Sequence, residues 1–203
     1  MPKLSGKGPP LLAAAAVAVF LVVGVVAYAG ADRDPQQVPS INEQPNGSGP
    51  DTERLFAIFR SERNASNDAL PPPPAGARTG AFGIDRAQSR KLDTDSTRSR
   101  AWALPAANDF SCIAYLPPDA EGPGFSCNPS SGGPNIVYRG VAGKYEVFGL
   151  VRDGYDSAVV SFADGSEQRA DIRRNSFALR ADTAPRAVSL SGELPPARLD
   201  LGQ

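Results

Sequence analysis

The chain of 203 residues carries 21 basic and 22 acidic side chains and no histidine. Because its basic residues do not cluster, we predict no nucleic-acid partner. The lack of histidine excludes the usual serine and cysteine triads and most zinc sites, so no catalytic residue, cofactor or metal site is predicted. Glycine and proline, 20 residues of each, favour many turns over a helical bundle.

An uninterrupted apolar run over residues 11–31 follows Lys3 and Lys7 near the N-terminus. At 1.5 Å per residue, such a run spans the roughly 30 Å hydrocarbon layer of a bilayer. The positive-inside rule then places residues 1–10 in the cytoplasm and the C-terminal domain outside. We therefore predict a single-pass membrane protein whose 11–31 segment contacts the lipid bilayer.

The same segment also fits a signal peptide with cleavage after Ala29 or Ala31, since both positions complete an Ala-x-Ala pattern. That alternative predicts a secreted chain. The run exceeds the ~7–15 residues of a usual signal-peptide core, which favours a retained anchor. A buried core helix is disfavoured, because so long an apolar run does not belong at the end of so polar a chain.

Composition divides the rest of the chain into three parts. Residues 32–50 are polar and rich in proline and glutamine, and we expect a disordered tether. Residues 51–192 are predicted to form one extracytoplasmic domain. Residues 193–203 are predicted to be a disordered tail.

Two short helices are predicted at the start of the domain. The first covers 52–62 with Asp51 as its N-cap. The second covers 86–92 with Asp85 as its N-cap, after a polyproline spacer at 71–74. The apolar residues of the first helix share one face, which we expect to pack in the core: Leu55, Phe56, Ile58 and Phe59.

From residue 98 onward the pattern becomes that of short strands. We predict an α+β, β-dominated fold, built as a small antiparallel β-sandwich or curled sheet with the two helices docked at one side. The predicted strands are 99–104, 110–116, 136–139, 145–151, 157–163, 167–173, 176–180 and 186–190.

The Asp164–Gly165 pair marks a hairpin between two of these strands. A two-residue loop would place Phe162 opposite Glu167 and set the apolar residues of the two strands on different faces. A three-residue loop, 163–165, restores one common apolar face. We therefore predict a type I turn with Gly165 in the left-handed conformation, forming a bulge.

The two cysteines, Cys112 and Cys127, are predicted to form a disulfide. An extracytoplasmic location permits the bond, and its 16-residue loop would stabilise the fold by about 3 kcal/mol. A reactive thiol is the alternative, but there is no CxxC spacing and no histidine to activate a thiolate.

Carboxylates are the residues on which an enzyme without histidine would depend. Those expected on loops are Asp109, Asp119, Glu121 and Asp153. Two of them could flank a glycosidic bond, although surface carboxylates are common in turns of any protein. The nearest approach to a calcium motif, Asp93-Thr94-Asp95, is too short to predict a site.

Several short segments resemble a group of membrane-anchored proteins of high-G+C bacteria to which no activity is assigned. The resemblance rests on Leu55-Phe56, Phe59-Arg60, the Leu70-Pro71 step and the stretch 148–165. It covers the first helix and the C-terminal half, and it implies a location and a fold.

These observations leave three functional hypotheses. The first is a non-catalytic binding or structural module of the cell envelope, whose envelope component or protein partner the sequence does not identify. The second is a carboxylate-dependent cell-wall hydrolase. The third is a regulatory or sensor ectodomain of a membrane complex.

Overall fold

The computed structural model describes residues 50–72 and 83–202. The predicted membrane segment, the cleavage positions after Ala29 and Ala31, and all of the predicted tether except its last residue lie outside this part of the chain. In the part that is described, none of the helices has the length and apolarity needed to cross a membrane.

Antiparallel strands dominate the described residues and confirm the prediction of a β-rich fold with few, short helices. They form a first sheet (β1-β2-β3-β4), a middle sheet (β5-β6-β9) and a third sheet (β11-β10-β7-β8). The strands are β1 (Arg90–Lys91), β2 (Arg100–Ala106), β3 (Phe110–Leu116), β4 (Gly124–Pro129), β5 (Asn135–Val141), β6 (Lys144–Leu150), β7 (Tyr155–Phe162), β8 (Glu167–Asp171), β9 (Ser176–Ala181), β10 (Pro185–Gly192) and β11 (Ala197–Asp200).

The middle sheet is covered on both faces. On one face, Val147 of β6 packs with Val160 and Val188 of the third sheet. On the other face, its neighbour Phe148 packs with Ile113 of the first sheet. Since a strand side chain alternates between faces, this two-sided cover explains why β6 is buried without interruption from residue 146 to 150.

The helix predicted over 52–62 is instead two short helices, α1 (Pro50–Leu55) and α2 (Ala57–Arg60). Phe56 separates them in an extended conformation, with φ −131° and ψ 107°. The predicted apolar face does pack in the core, where three residues are buried: Phe56, Ile58 and Phe59. The break lies where side chains from distant loops bind the first N–H groups of α2.

The second predicted helix is reduced to a single 3-10 turn, Arg86–Gln88. The side chain of Asp85 accepts a hydrogen bond from Ala87 N at 2.9 Å, as its role of N-cap requires. Helix does not continue to residue 92, because Arg90 and Lys91 pair with β2 as strand β1. Tertiary pairing thus prevails over the local helix signal.

The hairpin loop between β7 and β8 has three residues, 163–165. Phe162 N donates to Ser166 O at 2.9 Å, and Gly165 N donates to Phe162 O at 3.1 Å. Gly165 has φ +83°, the left-handed conformation in which glycine carries no Cβ penalty. The strands pair Ala158 with Ala170, the register that the three-residue loop requires.

The predicted disulfide is present between Cys112 and Cys127. The two residues lie directly opposite each other on β3 and β4. The bond therefore fastens β4, an edge strand that the sequence did not indicate, to the interior of the first sheet.

The prediction of a disordered tail from residue 193 is wrong. Strand β11 pairs with β10 over four residue pairs. Beyond it, Leu201 N donates to Arg186 O at 2.7 Å, and the side chain of Leu201 packs on the core between the middle and third sheets. The partial burial of Leu201 and the hydrogen bonds to β10 together order this segment, although its two prolines indicated a frayed end.

Candidate functional site

A network of side-chain hydrogen bonds fixes α2 against the β-sheets. Asp153 Oδ1 accepts from Ala57 N at 2.9 Å, and Asn175 Oδ1 accepts from Ile58 N at 2.8 Å. Asn175 Nδ2 also donates to Asp153 Oδ1 at 2.7 Å. The free N–H groups at the start of a helix need such acceptors. Here two loops far away in sequence provide them.

Arg60, at the end of α2, completes this network. Its Nη2 donates to Asp153 Oδ2 at 2.7 Å. Partial burial by itself would raise the pKa of Asp153, but the hydrogen bonds from Arg60, Asn175 and Ala57 N outweigh it and hold that pKa below its ordinary value. Asp153 is therefore charged at neutral pH and occupied by structural contacts.

The segment that follows α2, residues 61–68, is held by two buried charged side chains. Arg90 is 4% exposed and donates to the carbonyl oxygens of Phe59 and Ser61 at 3.1 to 3.4 Å. Asp68 is 5% exposed and accepts from Asn64 N at 2.7 Å and from Lys91 N at 2.8 Å. These bonds give the segment a defined course beside β1.

Beside this segment the surface opens into the charged groove, which has two adjoining parts. The larger part has a cavity volume of about 740 Å³ and lies between residues 61–68, residues 91–95 and the turn 173–176. The smaller part has a volume of about 370 Å³ and continues between residues 93–96, β8 and β9. Four residues line both parts and join them: Asp93, Asp95, Arg173 and Ser176.

The two sides of the charged groove differ in net charge. The segment at the end of β1 and after it carries more acidic than basic side chains, and the side formed by β8 and the turn 173–176 carries more basic than acidic ones. The exposed charged residues are Lys91, Asp93 and Asp95 on the first side and Arg169, Asp171, Arg173 and Arg174 on the second. Among the described residues, no ion pair joins the two aspartates to these arginines. The guanidinium of Arg173 pairs with the carboxylate of its neighbour Asp171 at 3.8 Å, and both side chains are exposed. The charges on the two sides are thus available to a ligand.

The turn that carries Arg174 is a tight reversal between β8 and β9. Arg173 and Ser176 exchange two backbone hydrogen bonds of 2.8 and 3.0 Å. Arg174 has φ +47° and Asn175 has φ +63°. Asparagine tolerates this left-handed region, but arginine is disfavoured there. The fold therefore holds an arginine side chain at the groove in a backbone conformation that would suit glycine better.

The carboxylates proposed from the sequence lie outside the charged groove. Asp109 Oδ1 accepts from Asp51 N at 3.2 Å, near the start of α1, and Asp119 and Glu121 are exposed beyond the end of β3. Asp153 binds α2. None of the four lines the charged groove. The described residues also contain no group of three or more acidic, histidine or cysteine side chains able to hold a metal ion.

One further carboxylate, Glu146 on β6, is fully buried. Its Oε1 accepts from Arg98 N at 2.6 Å and its Oε2 from Ser99 N at 3.2 Å. The register places it between Arg139 of β5 and Arg180 of β9. This side chain fastens the start of β2 to the middle sheet, which is a structural role.

Sequence reasoning missed the charged groove because its sides are distant in the chain. Asp93 and Asp95 were noted only as an incomplete calcium motif. Arg173 and Ser176 end and begin two predicted strands, and the sequence pattern assigns no role to the two residues between them. A scan against protein-family models, a search of curated proteins and a search of solved structures each return no match for this chain. The site is therefore interpreted from its own geometry.

Proposed function

We propose that this chain is a membrane-anchored, extracytoplasmic binding module of the cell envelope, which holds a charged ligand in the charged groove without transforming it. The charged groove is the observation that carries the proposal. Its larger part, about 740 Å³, falls within the 300–1,000 Å³ of small-ligand sites. Asp93 and Asp95 form no ion pair with the arginines of the groove, so a ligand finds charges of both signs.

The sequence supports the location. The apolar run over 11–31, with lysines before it, is that of a single-pass anchor with its C-terminal domain outside. The Cys112–Cys127 bond is of the kind that persists in an oxidising compartment. In this proposal the N-terminal segment supplies the membrane contact, and the domain presents the groove to the envelope.

Binding is favoured over hydrolysis by the placement of the acids. A glycoside hydrolase needs two carboxylates on either side of the scissile bond. Asp93 and Asp95 lie on one short segment, where Asp95 N donates to Asp93 Oδ1 at 3.4 Å. The side across from them carries three arginines, and its acid, Asp171, lies 3.8 Å from Arg173. Such a surface suits an anion better than it suits the general base of a hydrolase.

Site-specific photo-crosslinking in the full-length chain tests the proposal. A benzophenone amino acid would replace Asn67, an exposed residue that lines the groove, and Gln168, an exposed β8 residue outside it. We expect a crosslinked envelope component from position 67 that position 168 does not give. Equal products from the two positions, or none from position 67, would contradict the proposal. Soluble fragments released from isolated cell wall by the purified chain would favour the hydrolase instead.

A further inference from the structure

We infer that the ligand of the charged groove is an extended peptide in which acidic and basic side chains alternate, bound alongside β9. This inference rests on the proposed function and names the class of ligand. Two independent features of the described residues carry it: the opposed charges of the groove and the outer edge of β9.

The first feature is the difference in net charge between the two sides of the groove, one with an excess of aspartate and the other with an excess of arginine. In an extended peptide, successive side chains point to opposite sides. A peptide lying along the groove would direct every second side chain towards Asp93 and Asp95, and the others towards Arg173 and Arg174. Electrostatic complementarity therefore favours a basic residue next to an acidic one, repeated along the peptide. A ligand of one charge sign would meet repulsion on one side.

The second feature is the outer edge of β9, which no strand among the described residues covers beyond the Arg173–Ser176 bridge. Ser176 bonds to Arg173, on the side away from β6, and the carbonyl oxygen of Ala178 accepts from Ser96 Oγ at 2.8 Å on that same side. Because backbone groups alternate along a strand, those of Ser176, Ala178 and Arg180 face away from β6. Ala178 also lines the smaller cavity.

The divergence of β8 and β9 provides the space for a peptide. The two strands meet at the Arg173–Ser176 bridge, but β8 then pairs with β7 and β9 with β6. The smaller cavity lies between them, against Phe177 and Leu179. An added strand there would hydrogen-bond to β9, the recognition mode known as β-augmentation. The Ser96 hydroxyl marks the place where an N–H group of that strand would donate to Ala178 O.

The test uses fluorescently labelled eight-residue peptides and the full-length chain, with binding followed by fluorescence anisotropy. One peptide alternates lysine and glutamate. A second has the same composition with four lysines followed by four glutamates. We expect the alternating peptide to bind about tenfold more tightly, and its affinity to fall as salt screens the exposed charges. Equal affinity for the two peptides would overturn the inference.

Charge reversal in the chain provides the matched controls. Arg173→Glu should weaken binding of the alternating peptide about tenfold, whereas Arg186→Glu, an exposed position on β10 outside the groove, should change it less than twofold. Equal effects of Arg173→Glu and Arg186→Glu, with native circular dichroism retained, would contradict the inference.

Backbone methylation separates the edge contact from the charges. Two further alternating peptides carry an N-methyl group on every second amide, one on the odd-numbered amides and the other on the even-numbered ones. Each keeps all its side chains but loses the N–H donors along one edge of the extended peptide. We expect one of the two to bind at least about tenfold more weakly than the unmodified peptide, because its methyl groups face β9. Unchanged affinity of both would overturn the edge contact. A glycan crosslinked from position 67 would overturn the peptide ligand and leave the proposed binding function standing.

Discussion

The replacement of Asp153 by alanine tests the network that positions the groove. It removes the acceptor of Ala57 N, the partner of Asn175 Nδ2 and the partner of Arg60. Loss of a helix-capping side chain costs about 0.5–2 kcal/mol. The Arg60–Asp153 pair adds only about 0.2–1 kcal/mol, because the two side chains are 47% and 40% exposed and solvent screens them. We expect a loss of about 2 kcal/mol in the free energy of unfolding.

Urea unfolding of the full-length chain in a mild detergent measures this loss. With an m-value of ~2 kcal/mol/M, the midpoint should fall by about 1 M. Asp156→Ala, an exposed acid three residues further along, is the matched control and should stay within about 0.5 kcal/mol of the parent chain. Equal destabilisation by Asp153→Ala and Asp156→Ala would refute the capping role.

The pH dependence of the Asp153→Ala effect gives a second readout. The pKa of Asp153 is lower in the folded chain than in the unfolded one, near 3.9. The ionised carboxylate therefore stabilises the fold at pH values above its pKa in the unfolded chain. This stabilisation is lost as the pH falls through its pKa in the folded chain. The difference in free energy of unfolding between the parent chain and Asp153→Ala should be largest at pH 7 and should shrink below about pH 4. A difference that stays constant down to pH 3 would contradict the role of the charge.

Three further substitutions test other parts of the account. Replacing Cys112 and Cys127 together by alanine should lower the free energy of unfolding by about 3 kcal/mol in urea titrations, and free thiols detected in the unreduced parent would contradict the bond. Gly149→Ala should lower the free energy of unfolding by about 3 kcal/mol or more, because the added Cβ would overlap the ring of Phe177. In a thermal scan, adding Phe177→Leu to this variant should restore part of the lost stability. No recovery would argue against the contact between residues 149 and 177. Arg174→Gly should raise the melting temperature, because glycine adopts a φ of +47° without strain. The same variant should bind the alternating peptide more weakly, and unchanged binding would show that Arg174 is not part of the site.

Local patterns in the sequence predicted those parts of the fold that depend on neighbouring residues. The three-residue loop ending at Gly165 followed from the requirement that Ala158 and Ala170 share a face. The burial of Phe56 and Phe59 was also predicted, although the continuous helix on which that prediction depended breaks at Phe56. The loop is decided by residues within a short stretch of chain.

The features that were missed depend on distant partners. The break at Phe56 is compensated by Asp153 and Asn175, which lie 96 and 117 positions from the N–H groups that they bind. Strand β1 contains only two residues, both charged, and forms through its pairing with β2. The charged groove likewise arises only when the turn 173–176 folds beside residues 91–95. No local pattern reveals such contacts.

Hydrogen exchange of the full-length chain, with and without the alternating lysine–glutamate peptide at saturation, tests the binding claim most directly. The account predicts slower exchange in residues 61–68 and 91–96 and at the amide of Ala178, with the amides of β10 and β11 unchanged. Absence of protection in the groove, or protection confined to surfaces outside it, would contradict the claim that this groove binds the alternating peptide.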